Sequence, residues 1–172
     1  MIFVAKTSIK KGNMNLHVIF KKSKNYDIKQ NRTIKYLIIH YTGMKNQSVA
    51  IKRLQSQVAK VSCHYLISKK GKIYQLVEDQ HVAWHAGKSR WGRDKNLNSK
   101  SIGIELVNNG NEIFAEQQIA TLLKLLNALK KKYRIDPKYV LGHEDISPNR
   151  KKDPGPKFPW TKLYKLNLSK KR

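Results

Sequence analysis

The hydrophobic positions of this chain change their period several times, and each change marks an element. Tyr36-Leu37-Ile38-Ile39-His40-Tyr41 is a continuous apolar run, the signature of a strand buried on both faces. Thr42-Gly43 ends it and leaves His40 at the carboxyl end, where open α/β sheets gather their chemistry. Ser48 predicts the cap of a helix reaching about Lys60, with Val49, Leu54 and Val58 turned inward. Residues 63–68 and 72–77 predict two strands joined by Lys69-Lys70-Gly71, a hairpin with glycine at its turn. Over 101–107 the period is two, so Ile102, Ile104 and Leu106 share one face. Gly103 and Glu105 share the other, and Gly103 leaves room beside the carboxylate. Residues 116–133 predict a helix, because Ile119, Leu122, Leu123, Leu126 and Leu129 recur at its spacing while Lys124, Lys130, Lys131 and Lys132 lie outward. A short edge strand within 16–20, a last strand near 139–141 after Asp136-Pro137, and a closing helix within 158–168 complete the pattern. His17, in the first of these, reads as structural or exposed.

Two stretches lack a period and concentrate reactive side chains instead. Residues 78–100 form a long loop holding His81, Trp84, His85, Trp91 and Arg93, and its two tryptophans argue against disorder. Residues 140–160, VLGHEDISPNRKKDPGPKFPW, have too many Pro and Gly breaks for one helix and read as mostly loop. They carry His143, Glu144, Asp145, Lys151, Lys152 and Asp153. Pro154 and Pro156 fix φ there, and a loop so stiffened and so loaded is a candidate site rather than a spacer.

At 172 residues the chain is one α/β domain with a central mixed sheet flanked by helices. Its expected layout is a basic N-terminal segment over 1–33 (an edge strand packed on the domain), the domain proper over 34–166, and a basic tail over 167–172. Lys and Arg number 36 against 11 Asp and Glu, a formal charge of +25, which bears on partners rather than on fold. Nucleic acid, an anionic lipid surface and a carboxylate-rich polymer would each answer it. Nucleic acid is not expected: the cations are scattered, few aromatics interleave them, and no helix-turn-helix, RRM or zinc-finger pattern is present. Cys63 is the only cysteine, so no intramolecular disulfide forms. No apolar run approaches the roughly 18 residues of a membrane span. Lys6, Lys10 and Lys11 follow Met1-Ile2-Phe3-Val4 at once, so no signal-peptide core is visible; a cytoplasmic chain and one lacking its leader both remain open.

Two histidines and an aspartate, with a fourth position left to water, make a common catalytic zinc arrangement. His40, His143 and Asp153 are candidates for it, with structural histidines as the competing reading, since no compact HExxH is present. Cys63 as nucleophile with His64 as base would make a cysteine peptidase, but neighbours on a strand point to opposite faces.

The pieces IIHYT, HYLISKKGKIYQLV, AWHAG, SIGIEL, VLGHEDISP and RKKDPGPKFPW occur in this order from about residue 33 to 160. In them the sequence resembles the type 2 N-acetylmuramoyl-L-alanine amidases, the AmpD and AmiD group related to phage amidase lysozymes and peptidoglycan recognition proteins. The QLVEDQHVAWHAG and RKKDPGPKFPW segments are more similar to the AmiD branch. The resemblance implies the fold of those amidases and one zinc ion per chain held by His40, His143 and Asp153. It implies Glu105 as the catalytic carboxylate and Lys151 as the catalytic lysine, with neighbouring Lys152 as a competitor for that role. Some phage relatives carry a catalytic tyrosine where this chain has Cys63, which leaves the proton work to Glu105. Tyr41, His64, Trp84 and His85 are the candidates for lining a sugar-peptide groove. The expected partner is peptidoglycan or muropeptides, the expected state a monomer, and the expected location the cell envelope or the outside. The competing function is a peptidoglycan-binding module of the same fold that does not cut, a reading that loss of Asp153 would have favoured.

Overall fold

The computed structural model describes the backbone of residues 6–8 and all of residues 16–171. The remaining parts of the expected N-terminal segment, 1–5 and 9–15, and Arg172 of the expected tail lie outside the described residues. The strands are β1 (Lys6–Ser8), β2 (His17–Phe20), β3 (Tyr26–Asp27), β4 (Tyr36–Tyr41), β5 (Tyr65–Ile67) and β6 (Ile73–Gln75). They continue with β7 (Val82–Ala83), β8 (Arg90–Trp91), β9 (Asp94–Lys95), β10 (Ser101–Leu106) and β11 (Val140–Gly142). The helices are α1 (Gln47–Gln55), α2 (Glu116–Tyr133), the single turn α3 (His143–Ile146) and α4 (Trp160–Lys165).

Seven strands form one mixed sheet in the order β1-β2-β6-β5-β10-β4-β11. β5, β10, β4 and β11 run parallel, while β6 returns antiparallel beside β5 as the expected hairpin. Continuous apolarity in β4 has its expected consequence: Leu37 and Ile39 join one core while Tyr36 and Ile38 join another across the sheet. On the first side Ile102, Ile104 and Leu106 meet Ile119, Leu122, Leu125, Leu126 and Leu129 of α2, and Leu163 of α4 closes the layer. A fully buried leucine of that kind stabilises the fold by roughly 1.5–3 kcal/mol. On the opposite side Ala50 and Leu54 of α1 pack with Cys63, Leu66, Leu76 and Val107. The catalytic candidates stand on that side.

Three expectations are corrected or refined by the fold. The first helix starts earlier and is shorter than 48–60: Asn46 is its cap, accepting from Val49 N at 3.1 Å. Leu54 faces inward as expected, with Ala50 beside it, while Val49 on the helix and Val58 beyond its end are exposed. The 140–160 stretch is mostly loop, as expected, but the strand β11 at its start runs directly into the helical turn α3, which the sequence did not predict. The 16–20 strand is not an edge, because β1 pairs beyond it and β6 on its other side. Ser23 Oγ donates to Leu54 O (2.6 Å), and Asn25 Nδ2 donates to Ser56 O and Val61 O (both 2.8 Å), tying the N-terminal segment to the end of α1. At the other end Leu168 and Ser169 are buried, so packing continues past 166. No helix among the described residues is long and apolar enough to cross a membrane.

Candidate active site

Parallel pairing fixes which side chains meet. Glu105 of β10 is level with His40 of β4, and both point to the α1 side of the sheet. Gly142 of β11 is level with Ile39, so His143, the next residue, arrives beside His40. Asp153 is returned to the same place by the chain after α3: Glu144 N donates to Asp153 O at 2.8 Å. Pro154 then packs over Gly142 so closely that a Cβ there would stand 2.6 Å from the proline Cδ. Glycine at 142 is therefore what lets the turn lie against β11.

The outcome is a convergence of three donors that sequence separates by 113 positions. His40 Nδ1 lies 3.0 Å from His143 Nδ1 and 2.9 Å from Asp153 Oδ2, and His143 Nδ1 lies 3.1 Å from the same oxygen. All three residues are buried. The outer nitrogens are committed elsewhere. His143 Nε2 is 3.1 Å from Ala86 O, which only accepts, and 3.4 Å from Arg150 Nη2, which only donates; the nearer contact puts the proton on Nε2 and leaves Nδ1 its lone pair. Burial, followed by the nearby His143, pushes His40 down to about 4 against the opposing pull of Asp153, so the ring is neutral at pH 7. Burial would raise Asp153, and contacts to His143 and His40 more than offset it, so its carboxyl sits below the usual range. Three buried electron-pair donors about 3 Å apart could hold a cation between them. Zinc bonds of about 2.0–2.1 Å in a tetrahedron need donor separations of roughly 3.3 Å, so the set fits such an ion with little movement.

Around this triad lies a cavity of about 500 Å³ whose walls include Tyr41, Trp84, Glu105, Lys151 and Lys152. Glu105 presents Oε2 with no hydrogen-bond partner in the protein. Burial, then Asp153, pushes its carboxyl up to about 8, with Lys151 acting the other way. Lys151 is half-buried and its charge bears on both Glu105 and His40, whereas Lys152 is exposed. Tyr41 sits at the mouth, its ring against the Cα positions of Gly110 and Gly155. Trp84 is half-buried and held through its backbone: its N–H donates to Ser62 Oγ (2.8 Å), and Ser62 Oγ donates to Asn25 O (2.6 Å).

His64 does not line this cavity and is corrected here. It is fully buried, with Nδ1 accepting from Gly103 N at 3.0 Å and Nε2 facing His81 O at 3.1 Å. Burial, then Arg32, pushes its pKa down to about 3. Cys63 is also fully buried, and burial raises its thiol well above the usual range, the reverse of what a nucleophile needs. His85 reaches the cavity, but its ring lies mainly against His40.

Three residues that the sequence did not single out help to hold the site. Arg150 donates to Ala86 O (2.8 Å), Lys88 O (3.0 Å) and Ser147 Oγ (2.9 Å), strapping the 86–88 loop to α3. Asn98 Oδ1 accepts from His85 N (3.1 Å) and Ala86 N (2.7 Å). Arg32 inserts its guanidinium among backbone carbonyls, including Asp79 O at 3.2 Å and Ser101 O. No periodicity marks any of them, because each acts through backbone brought near only by folding.

The site has known counterparts. AmiD of Escherichia coli (strain K12), an N-acetylmuramoyl-L-alanine amidase, is 41% identical over 151 residues, covering 78% of this chain and 54% of that protein. AmpD of Haemophilus influenzae (strain ATCC 51907 / DSM 11121 / KW20 / Rd), a 1,6-anhydro-N-acetylmuramyl-L-alanine amidase, is 44% identical over 103 residues, 59% of this chain and 55% of that one. This chain thus spans about half the length of the curated relatives it matches. The solved complex of E. coli AmiD with anhydro-N-acetylmuramic acid-L-Ala-D-gamma-Glu-L-Lys superposes with a TM-score of 0.76 at 35% identity, covering 86% of this chain and 67% of that one. The family model Amidase_2, N-acetylmuramoyl-L-alanine amidase, matches residues 30–156, and the chain belongs to that family.

Proposed function

We propose that this chain is a zinc-dependent hydrolase that cleaves the amide between the lactyl group of N-acetylmuramic acid and L-alanine in peptidoglycan or muropeptides. The observation that carries the reading is the meeting of His40 Nδ1, His143 Nδ1 and Asp153 Oδ2 within 3.1 Å of one another beside the unpartnered Oε2 of Glu105. Family membership and the AmiD likeness agree with it. His40, His143 and Asp153 would hold the zinc ion. Bound there, zinc supplies a Lewis acid for the scissile carbonyl and acidifies water. Glu105 takes the proton of the attacking water and passes it to the departing amine. Its raised carboxyl would be brought down into the ionised form that a base needs by the charge of a bound cation beside it. Lys151 stabilises the oxyanion that develops on the carbonyl oxygen. Tyr41 and Trp84 form walls against which sugar and peptide rest. Atoms balance simply: the C–N bond breaks, water's oxygen joins the lactyl carboxyl, and the peptide leaves with a free L-alanine amine.

A non-cutting peptidoglycan module of the same fold is disfavoured by the same set of side chains, since recognition alone needs neither the third donor nor Glu105. The cell envelope or the exterior is the compartment that fits such a substrate. Incubation of the zinc-loaded chain with anhydro-muropeptide and with intact sacculus, each with and without a chelator, tests the reading. Release of a peptide beginning with L-alanine, abolished by the chelator, is expected; binding without release would favour the non-cutting module.

A further inference from the structure

A neutral imidazole offers one nitrogen as donor and the other as acceptor, and its neighbours decide which. The His40 ring meets His85 nearly edge-on, with centroids 5.1 Å apart and planes at 83°. His40 Nε2 lies 3.0 Å from His85 Nδ1, and His85 Nε2 lies 3.1 Å from Ser101 Oγ. The Ser101 hydroxyl has a single proton, and it is given to Leu97 O at 2.6 Å. Ser101 Oγ therefore accepts from His85 Nε2–H, which leaves His85 Nδ1 as the acceptor for His40 Nε2–H. That in turn leaves the His40 lone pair on Nδ1, the nitrogen facing His143 and Asp153. We propose that His85 is a positioning residue that, backed by Ser101, fixes His40 in the tautomer whose Nδ1 serves the metal. The inference rests on the metal reading of the triad given above.

The seat of the His85 ring is made by what is missing beside it. A Cβ on Gly103 would stand 2.4 Å from His85 Cγ, so no larger residue fits while the ring is in place. The backbone of His85 is pinned from the other direction by Asn98 Oδ1. With both ring nitrogens committed to protein partners, His85 has no polar atom to spare for a substrate, which separates this role from groove lining. Such a supporting partner commonly accounts for about 10–100-fold in metal affinity.

Two measurements on the full chain test this. In nitrogen-labelled, zinc-loaded wild type, NMR should show His40 protonated at Nε2 and a nitrogen–nitrogen coupling across the hydrogen bond to His85 Nδ1. Zinc affinity, read by competition with a chelating dye, should fall about 10–100-fold in His85→Leu. It should be largely restored in His85→Asn, whose side-chain oxygen can take the place of Nδ1. A His40 ring protonated at Nδ1, or His85→Leu binding zinc like wild type, would overturn the inference. If His85→Leu fails to fold, the wild-type spectrum still decides. A wild type that binds no zinc would overturn the metal reading itself, a failure distinct from intact zinc binding with the wrong tautomer.

Discussion

Glu105 lies directly across from His40 on the neighbouring parallel strand, so the carboxyl we propose for proton transfer and the imidazole we propose as a metal ligand project side by side from one sheet face. The two roles are thereby close yet separable. Glu105→Gln should keep the bound metal and lose about 10²–10⁴-fold in turnover, the range typical of a missing general acid–base. Metal content and muropeptide cleavage measured on the same preparation check this, and near-normal turnover in the variant would remove the proton role from Glu105.

Lys151 and its neighbour can be told apart. Only Lys151 is half-buried with its charge felt by both Glu105 and His40, while Lys152 is exposed. Lys151→Ala should lower kcat by about 10²–10³-fold, as loss of one oxyanion donor does. Lys152→Ala should leave kcat within a few-fold of wild type. Equal effects of the two substitutions would assign the oxyanion role to neither residue alone.

Stability should fall in mild acid because of His64. In the unfolded chain this imidazole takes up its proton near pH 6.5, whereas burial and Arg32 hold it off until about pH 3 in the fold. Between those values the unfolded chain binds more protons, so stability declines as pH falls through the window, by up to about 1.4 kcal/mol per pH unit for this one group. His64→Asn keeps an acceptor for Gly103 N and removes the titration. Urea midpoints at pH 7 and pH 5 should therefore converge in the variant relative to wild type. Parallel shifts in both proteins would remove His64 as the cause.

Much of this was legible in the sequence where one physical rule dominates. The apolar run 36–41 marked β4, the alternation over 101–106 put Glu105 opposite the core, and the spacing of Ile119, Leu122, Leu126 and Leu129 marked α2 at its observed bounds. The meeting of His40, His143 and Asp153 was implied by the family resemblance rather than by spacing, since register between β4 and β11 is a tertiary fact. α1 was misplaced because Ser48 and Asn46 are both plausible caps and the chain uses the earlier one. His64 was assigned to the groove because it stands in a site motif, yet its side chain turns into the interior beneath His85. The tie of residues 23–25 to the end of α1 left no signal in the sequence, because it rests on Ser23 and Asn25 donating to backbone carbonyls far along the chain.

The most direct test is to count metal ions bound by wild type and by Asp153→Ala after equal exposure to zinc and dialysis. One ion per chain in wild type, and loss of both ion and cleavage in the variant, is the expected result. An unchanged ion content in Asp153→Ala, or full cleavage by a wild type stripped of metal, would contradict a cation shared by His40, His143 and Asp153.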